Sequence, residues 1–136
     1  MADDDAEDMC LFKDALHDAG IANELTWFKN GSLLLNALEN PEANCPDIIF
    51  LDLNMPVMHG LECLQAIRKS ENCKNLPIII YSTSTHHKDI EDTFAAGANG
   101  YLSKPNNYTE LKQILKVILV ENKLLHQPND MAHFII

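Results

Sequence analysis

Basic residues and long apolar runs are both scarce in this sequence. Its 136 residues include 10 Lys and Arg against 20 Asp and Glu, for a formal net charge of -10. A chain without a basic stripe is a poor partner for a phosphate backbone, so nucleic-acid binding is not expected. The longest unbroken apolar runs are four residues, too short for a membrane span or a secretory signal. We therefore expect a cytoplasmic protein that binds neither nucleic acid nor membrane.

The four cysteines form no recognisable metal or disulfide pattern. None belongs to a CxxC pair, and none has a histidine at zinc-finger spacing. We therefore expect buried or idle thiols in a reducing compartment. The apolar fraction of 46% is too high for a disordered chain. The length suits one domain that buries roughly two-thirds of its unfolded surface.

What the sequence does contain is an alternation of helical and strand patterns. Residues 48–51 and 78–81 are apolar on both faces, as strands buried inside a parallel sheet are. Shorter strand patterns lie at residues 25–28 and 101–102. Apolar residues at helical spacing lie at residues 9–19, 34–38, 61–67, 90–94 and 111–119. Alternation of this kind predicts a parallel sheet covered by helices on both faces.

A polar residue follows each of the later predicted strands. Asp52 and Ser82 come directly after the two buried strands, and Lys104 closely follows the next one. Asp3 and Asp4 stand where a preceding first strand would end. Because the carboxyl ends of parallel strands meet at one edge of a sheet, we expect these side chains to share a pocket.

Such a pocket has a natural chemical use. Clustered carboxylates repel one another, and a hard divalent cation such as Mg²⁺, which takes oxygen ligands, relieves that repulsion. With the cation bound, one carboxylate can attack a phosphorus centre as a nucleophile. Lys104 and Ser82 would then stabilise the phosphoryl oxygens, one as a point charge and one as a hydrogen-bond donor.

These residues resemble the receiver domains of two-component response regulators, of the single-domain, CheY-like kind. The resemblance runs from about residue 3 to residue 122, with the motifs in the family's order and spacing. The motifs are the acidic pair Asp3-Asp4, then Asp52-Leu53-Asn54-Met55-Pro56 with Gly60, then Ser82, then Tyr101 followed by Lys104-Pro105.

The resemblance implies a flavodoxin-like α/β fold. This is a doubly wound, parallel five-stranded sheet in the order 2-1-3-4-5, with helices on both faces. Residues 1–122 would form the receiver domain. Residues 123–136 would form a C-terminal tail that could add a strand.

The resemblance also implies a phosphorylation-dependent signalling switch and not an enzyme. Asp52 would accept a phosphoryl group from a sensor histidine kinase or a phosphotransfer protein, with Mg²⁺ as cofactor, and a downstream protein would receive the signal. The Lys104–Pro105 bond would be a candidate cis peptide bond. The implied site residues are Asp3, Asp4, Asp52 and Asn54 for the metal, Asp52, Ser82 and Lys104 for phosphoryl transfer, and Tyr101 and Pro105 for the switch.

Some assignments stay open at the level of single residues. Asp3, Asp4 and Asp5 are consecutive, so the acidic pair is either Asp3-Asp4 or Asp4-Asp5. Ser82 has rivals in the hydroxyl-bearing residues 83–85, and we prefer it because it comes first after the apolar run. Trp27 lies in a different predicted strand and is expected only to pack.

Two other functions also stay open. A Mg²⁺-dependent phosphohydrolase with an aspartyl nucleophile would usually carry a second acid two residues after the nucleophile, where this chain has Asn54. A cap domain would not fit within 136 residues either. A degenerate receiver, acting only as an interaction module, is favoured by the incomplete amino end and disfavoured by the presence of Asp52, Ser82 and Lys104.

The first strand of the implied fold has almost no sequence, because only Met1 and Ala2 precede the acidic cluster. Three explanations are compatible with this. The native start lies upstream, which we expect; the chain uses a stub strand; or residues 133–136 fill the gap, in their own subunit or a neighbour's.

The last predicted helix carries more apolar surface than one buried stripe requires. Val117, Val120, Leu124 and Leu125 lie outside the main stripe. We therefore predict that this helix, or the tail behind it, provides a surface for a homodimer or another protein.

Overall fold

The computed structural model describes residues 1–121 and 128–136. Helices and strands alternate over most of this length, as the sequence pattern predicts. The elements in chain order are α1 (Ala6–Asp18), α2 (Gly31–Glu39), β1 (Ile49–Leu51), α3 (Gly60–Lys69), β2 (Ile78–Ser82), α4 (His87–Ala95), β3 (Gly100–Ser103), α5 (Tyr108–Leu119) and α6 (Met131–Phe134).

The three strands form one parallel sheet in the order β1-β2-β3. Alternate residues of β2 face opposite sides of this sheet, because side chains alternate along a strand. Ile79 and Tyr81 pack against a cluster that includes Phe12 of α1 and Leu115 of α5. Ile78 and Ile80 belong to a second cluster with apolar residues of α2, α3 and α4. The sheet is therefore covered on both faces, as the predicted fold class requires.

Residues 1–3 occupy the central position that the implied fold assigns to its first strand. Ala2 forms parallel bridges to Phe28 on one side and to Leu51 of β1 on the other. Its amide donates to Phe50 O at 2.9 Å and its carbonyl accepts from Asp52 N at 2.9 Å. A stub strand therefore does the work of the first strand. The first two strands of the 2-1-3-4-5 order are each represented by a few residues, so their pairing consists of the single bridges of Ala2 to Phe28 and to Leu51.

The tail lies at the opposite edge of the sheet and does not fill the first-strand position. Ile135 forms a parallel bridge to Tyr101 of β3, and Ile136 N donates to Tyr101 O at 2.9 Å. The hypothesis that the tail replaces the first strand is therefore wrong, since Ala2 already satisfies the backbone groups of both neighbours.

A guanidinium group ties together the loops at the amino ends of the strands. Arg68 of α3 donates from Nε to Gly97 O at 2.9 Å, and from Nη1 to Lys74 O at 3.0 Å and Leu76 O at 2.8 Å. Its Nη2 donates to Asn99 Oδ1 at 2.9 Å, the same oxygen that accepts from the amide of Ile78. This arrangement fixes the loops that enter β2 and β3.

The Lys104–Pro105 peptide bond and the outer surface of α5 were both predicted from the sequence, and only one of the two predictions agrees with the structure. The described peptide bonds include no cis bond, so the expected cis bond at Lys104–Pro105 is wrong. The trans form is the favoured isomer of any bond before proline unless tertiary contacts oppose it. On α5, Val117 and Val120 are exposed as expected, whereas Leu124 and Leu125 lie outside the described residues.

Candidate functional site

The polar residues that follow the strands meet at the carboxyl edge of the sheet. Lys104 follows β3, and its side chain is only 9% exposed. Its Nζ lies 2.8 Å from Asp3 Oδ2 and 3.7 Å from Asp52 Oδ1. The same Nζ donates to Asp8 Oδ2 at 2.7 Å. One ammonium group is therefore shared by three carboxylates from two distant parts of the sequence.

Asp3, Asp4 and Asp52 form an acidic cluster, which we call the Asp3–Asp4–Asp52 cluster. Each contributes a carboxylate oxygen, and these oxygens lie within 4.8 Å of one another. Asp3 and Asp52 are buried while Asp4 is exposed. Asp5 turns away, because its carboxylate caps α1 by accepting from the amides of Glu7 and Asp8. The geometry thus brings together the pair Asp3-Asp4 and not Asp4-Asp5.

Backbone pairing holds the two buried carboxylates side by side. Asp52 N donates to Ala2 O at 2.9 Å, and Asp3 N donates to Phe28 O at 3.0 Å. The indole N–H of Trp27 donates to Asp3 O at 2.7 Å. Residues 1–3 are therefore fixed from both sides.

Burial dominates the electrostatics of these groups. Loss of solvent raises the pKa of Asp52 to about 6, although Lys104 opposes the shift. Burial likewise raises the pKa of Asp3, against the opposing effect of Lys104. For Lys104, burial by itself lowers the pKa, but interactions with the carboxylates of Asp3, Asp8 and Asp52 together outweigh it, and the pKa is raised above its ordinary value. The edge carries an excess of buried negative charge that one lysine does not balance.

The acidic cluster has the donors and the spare bonding capacity that a divalent cation needs. Asp3 Oδ1 accepts from Asp5 N at 2.9 Å. Asp3 Oδ2 is buried and, beyond its ion pair with Lys104, has no partner in hydrogen-bond geometry. Carboxylate oxygens are the ligands that hard cations prefer. Asn54 is exposed in the turn after Asp52, and its backbone carbonyl stays a predicted ligand.

The turn after β1 leaves no room for a side chain at Gly60. A Cβ atom there would overlap the carbonyl oxygen of Asp52 and come within 2.7 Å of Leu53 Cα. The amide of Gly60 donates to Leu53 O at 2.9 Å. Val57, in the same turn, has φ of 70° although it is not glycine. The spacing between Asp52 and Gly60 in the sequence therefore reflects a close approach of α3 to the turn that follows Asp52.

Ser82 and Tyr101 are linked through the loop that follows β2. Ser82 is fully buried, and its Oγ accepts from Ser84 N at 3.1 Å. The Tyr101 hydroxyl donates to Ser84 O at 2.9 Å. Thr83 and Thr85 are exposed, and Ser84 bonds to Asp89. Pro105 is half-buried immediately after Lys104.

Two residues contribute to the site in ways that sequence reasoning missed. Asp8 supplies the second hydrogen bond to Lys104 from the first turn of α1. Asp8 lies four residues after Asp4, so its position indicates that it is near the acidic pair at the start of α1. Sequence spacing does not predict that its partner lies 96 positions away. Trp27 was expected only to pack, yet it donates to the backbone of Asp3.

Comparison with known proteins assigns the family. The sequence model of one family, the response regulator receiver domain, matches residues 1–116. The chain belongs to the response regulator receiver domain family. Receiver domains are phosphorylation-dependent signalling switches and not typically enzymes, and they bind a divalent metal. They interact with histidine kinases and downstream targets.

Individual relatives agree with this assignment. The probable methanogenesis regulatory protein FilR2 of Methanothrix harundinacea is 29% identical over 119 residues, covering 85% of this chain and 76% of its own. The phosphorylated cyanobacterial phytochrome response regulator RcpA superposes with a TM-score of 0.80 at 28% identity, covering 89% and 91% of the two chains. The Mn²⁺-bound form of response regulator Rcp1 gives 0.77 at 26% identity, covering 94% of each. This receiver chain is therefore a phosphorylation-dependent switch of the CheY-like fold.

The described helices include none that is both long and apolar enough to cross a membrane.

Proposed function

We propose that Asp52 is the phosphoacceptor of this receiver and that Mg²⁺ is its metal. The observation that carries the proposal is the convergence of Asp3, Asp8 and Asp52 on Lys104 Nζ, within 3.7 Å. Asp3, Asp4 and Asp52, with the carbonyl of Asn54, would hold the cation. When bound, it would neutralise the acidic cluster and polarise the incoming phosphoryl group.

The transfer itself is a displacement at phosphorus. A carboxylate oxygen of Asp52 forms a bond to the phosphorus of a phosphohistidine, and the P–N bond breaks. The imidazole leaves with the electron pair of that bond and takes up a proton. Lys104 pairs with one phosphoryl oxygen and Ser82 donates its hydroxyl to another. The donor is a sensor histidine kinase or a phosphotransfer protein.

The signal leaves through protein contacts. In the structure Ser82 Oγ accepts from the Ser84 amide at 3.1 Å. When the Ser82 hydroxyl turns to donate to a phosphoryl group on Asp52, its oxygen moves relative to that amide, and the loop that carries Ser84 moves with it. Tyr101 bonds to that same loop, so Tyr101 and the adjoining Pro105 change position with it. We propose that this chain is cytoplasmic and that a downstream partner protein recognises the change.

Incubation with Mg²⁺ and acetyl phosphate, followed by intact mass, tests the acceptor. The wild-type chain should gain one phosphoryl group, and Asp52→Asn should gain none. Asp47→Asn is the matched control, because Asp47 is exposed at the other end of β1 and should be phosphorylated normally. An adduct that survives Asp52→Asn would assign another acceptor, and no adduct on the wild-type chain would favour a degenerate receiver.

The fluorescence of Trp27 can report metal binding. Trp27 is the single tryptophan, and its indole N–H bonds to the backbone of Asp3. Titration with Mg²⁺ should change the fluorescence of Trp27. The Mg²⁺ concentration at the midpoint of this change should be at least about tenfold higher in Asp3→Asn. An unchanged midpoint in Asp3→Asn would contradict the assigned ligand.

Two further expectations belong to the same proposal. The chain should not turn over small phosphate esters. Turnover would instead favour the phosphohydrolase.

We also propose that the exposed Val117 and Val120 of α5 form a homodimer contact. Val117→Asp and Val120→Asp should shift the association state measured by sedimentation, and an unchanged state in both would reject this surface.

A further inference from the structure

Two cysteines meet at the amino ends of the strands, although the sequence contains no pattern that pairs them. Strands β1 and β2 are parallel, with Ile49 in register with Ile78, and Ile49 N donates to Pro77 O at 2.9 Å. Cys45 lies four residues before Ile49, and Cys73 lies five residues before Ile78. Parallel pairing therefore brings the loops that carry them to the same edge. There the thiols of Cys45 and Cys73 are joined by a side-chain hydrogen bond.

The thiol of Cys73 has a fixed position in the loop between α3 and β2. Cys73 is buried, and its Sγ donates to Leu38 O of α2 at 3.8 Å. Its backbone amide donates to Ser70 O at 3.3 Å. The hydrogen bonds of Arg68 to two carbonyls hold the rest of this loop. The sulfur of Cys73 is therefore held where it meets Cys45.

Cys45 differs from Cys73 in its exposure and in its restraint. It is exposed, in the loop between α2 and β1. In the part of the chain that the structure describes, residues 44–47 form no backbone hydrogen bond. The same loop lines a cavity of about 780 Å³, together with residues 21–26. A covalent bond between Cys45 and Cys73 would therefore fix a segment that backbone pairing leaves unattached.

The other two cysteines occupy different surroundings. Cys63 is buried and donates to Gly31 O at 3.7 Å, and burial raises the pKa of its thiol to about 12. Cys10 is exposed on α1, which packs on the opposite face of the sheet from α2 and α3. Burial also raises the pKa of Cys73, which keeps it a thiol at neutral pH. Within the pair, a dissolved oxidant therefore reaches Cys45 first.

We propose that Cys45 and Cys73 form a reversible disulfide when the chain meets a peroxide, and that this bond tethers the α2–β1 loop to the α3–β2 loop. An accessible thiol beside a second, resolving thiol is the arrangement of redox-sensing cysteines. Disulfides that form in reducing compartments are usually transient and of this kind. The pair lies at the opposite end of the strands from Asp52, so the proposal does not depend on the function proposed for that residue.

The reaction balances with hydrogen peroxide as the oxidant. The Cys45 thiolate attacks one peroxide oxygen, the O–O bond breaks, and hydroxide leaves and takes up the proton that the thiol released. Cys45 is then a sulfenic acid. The Cys73 sulfur attacks the Cys45 sulfur, so an S–S bond forms, the S–O bond breaks, and the hydroxyl leaves as water with the Cys73 proton. The two thiols lose two electrons, and one peroxide becomes two waters.

Peptide mapping of the folded chain tests the bond. The chain is treated with hydrogen peroxide, its free thiols are blocked with iodoacetamide, and it is digested with trypsin without reductant. Residues 70–74, which contain Cys73, should be linked to residues 30–68, which contain both Cys45 and Cys63. Cys63→Ala removes this ambiguity and should give the same linked pair. Dithiothreitol should separate the two peptides.

Two serine variants of exposed cysteines provide the matched comparison. Cys45→Ser should abolish the linked pair, whereas Cys10→Ser should leave its yield unchanged. A linked pair that survives Cys45→Ser would overturn the proposal. So would a wild-type chain in which Cys45 is oxidised to a sulfinic acid without a link, or in which the link joins two copies of the chain.

Hydrogen exchange tests the tether. Amide exchange among residues 44–47 should be at least about fivefold slower in the oxidised chain than in the reduced chain. Peroxide should leave exchange unchanged in Cys45→Ser. Equal exchange in both forms of the wild-type chain, with the linked pair present by mapping, would overturn the tether.

Discussion

Two half-buried cations sit at opposite ends of the same sheet and have opposite surroundings. At the amino ends of the strands, Arg68 donates to three backbone carbonyls and one amide oxygen. At the carboxyl ends, Lys104 meets the carboxylates of Asp3, Asp8 and Asp52. Burial lowers the pKa of Arg68, whereas the pKa of Lys104 is raised because its interactions with the carboxylates of Asp3, Asp8 and Asp52 outweigh its burial.

The difference separates a cation that joins loops from a cation that lies in the candidate functional site. The acceptors of Arg68 are neutral, and one of them, Asn99 Oδ1, also accepts from the amide of Ile78, so this cation only joins parts of the backbone. The acceptors of Lys104 are charged, outnumber it, and include two members of the Asp3–Asp4–Asp52 cluster. A surplus of buried carboxylate destabilises the free protein and is relieved by a bound cation. The charge balance therefore favours stability at one end and ligand binding at the other.

Removing each cation gives the largest expected effect. Lys104→Met leaves buried carboxylates without a partner and should lower the free energy of unfolding by about 3–5 kcal/mol at pH 7. Arg68→Met leaves buried carbonyls unpaired and should lower it by about 2–4 kcal/mol. Urea unfolding with and without Mg²⁺ distinguishes them, because Mg²⁺ should restore part of the loss only in Lys104→Met. Equal rescue of both variants would break the comparison.

A methyl group added at each end should produce the next largest effect. Gly60→Ala would overlap the Asp52 carbonyl and should cost about 2–4 kcal/mol. Gly97→Ala, beside Arg68, meets only ordinary contacts but has φ of 92°, and should cost about 1–2 kcal/mol. Trp27 fluorescence should report weaker Mg²⁺ binding in Gly60→Ala and unchanged binding in Gly97→Ala. Normal Mg²⁺ affinity in a folded Gly60→Ala chain would show that the turn after Asp52 can be displaced without weakening metal binding.

The raised pKa of Asp52 predicts a stabilising substitution at the functional end. Because burial holds the pKa of native Asp52 at about 6, above its unfolded value, its ionised form costs stability above that pH. Asp52→Asn should therefore raise the free energy of unfolding by about 1–3 kcal/mol at pH 7.5 without metal. The gain should shrink as the pH falls from 6 towards 4, where the native carboxylate is protonated.

The exposed Asp47→Asn, at the other end of β1, should change stability by less than about 0.5 kcal/mol. Denaturant titrations across this pH range measure both variants. A constant difference between Asp52→Asn and the wild-type chain would mean that burial of this charge carries no penalty.

The smallest expected effect concerns backbone strain in the turn that follows Asp52. Val57 has φ of 70° and is 82% exposed, so its side chain contributes little packing to offset an unfavourable conformation. Val57→Gly should raise the free energy of unfolding by up to about 1 kcal/mol, the relief of strain being partly offset by the greater freedom of glycine in the unfolded chain. If urea unfolding shows a loss of stability in Val57→Gly, the Val57 side chain contributes more to packing than its exposure suggests.

The residues of the site were predictable where one strand led directly to one polar side chain. Asp52 and Ser82 follow runs that are apolar on both faces, and parallel pairing then brings their strand ends together. The central stub was not predictable in this way, because three residues have no measurable periodicity. Its existence depends on backbone bonds to residues 28 and 50–52, which no local pattern encodes.

Contacts between distant segments account for what sequence reasoning missed. Asp8 pairs with Lys104 across 96 positions, and Trp27 reaches Asp3 across 24. The tail was predicted as a possible strand, and one of three explanations placed it in the central first-strand position, because its short pattern does not identify a partner strand. The position beside β3 is decided by the burial of Phe134, which requires Phe94 and Tyr101 to be in place first.

The pairing of Ala2 with two strands has a consequence for the order of events during folding. Strands β1 and β2 pair residues 29 positions apart, whereas the bridge between Ala2 and Leu51 spans 49 positions, and contacts at greater sequence separation form more slowly. The carboxylates at positions 3 and 52 would accordingly come together after the main barrier has been crossed. Mg²⁺ should then slow the unfolding reaction in stopped-flow measurements and leave the refolding rate nearly unchanged.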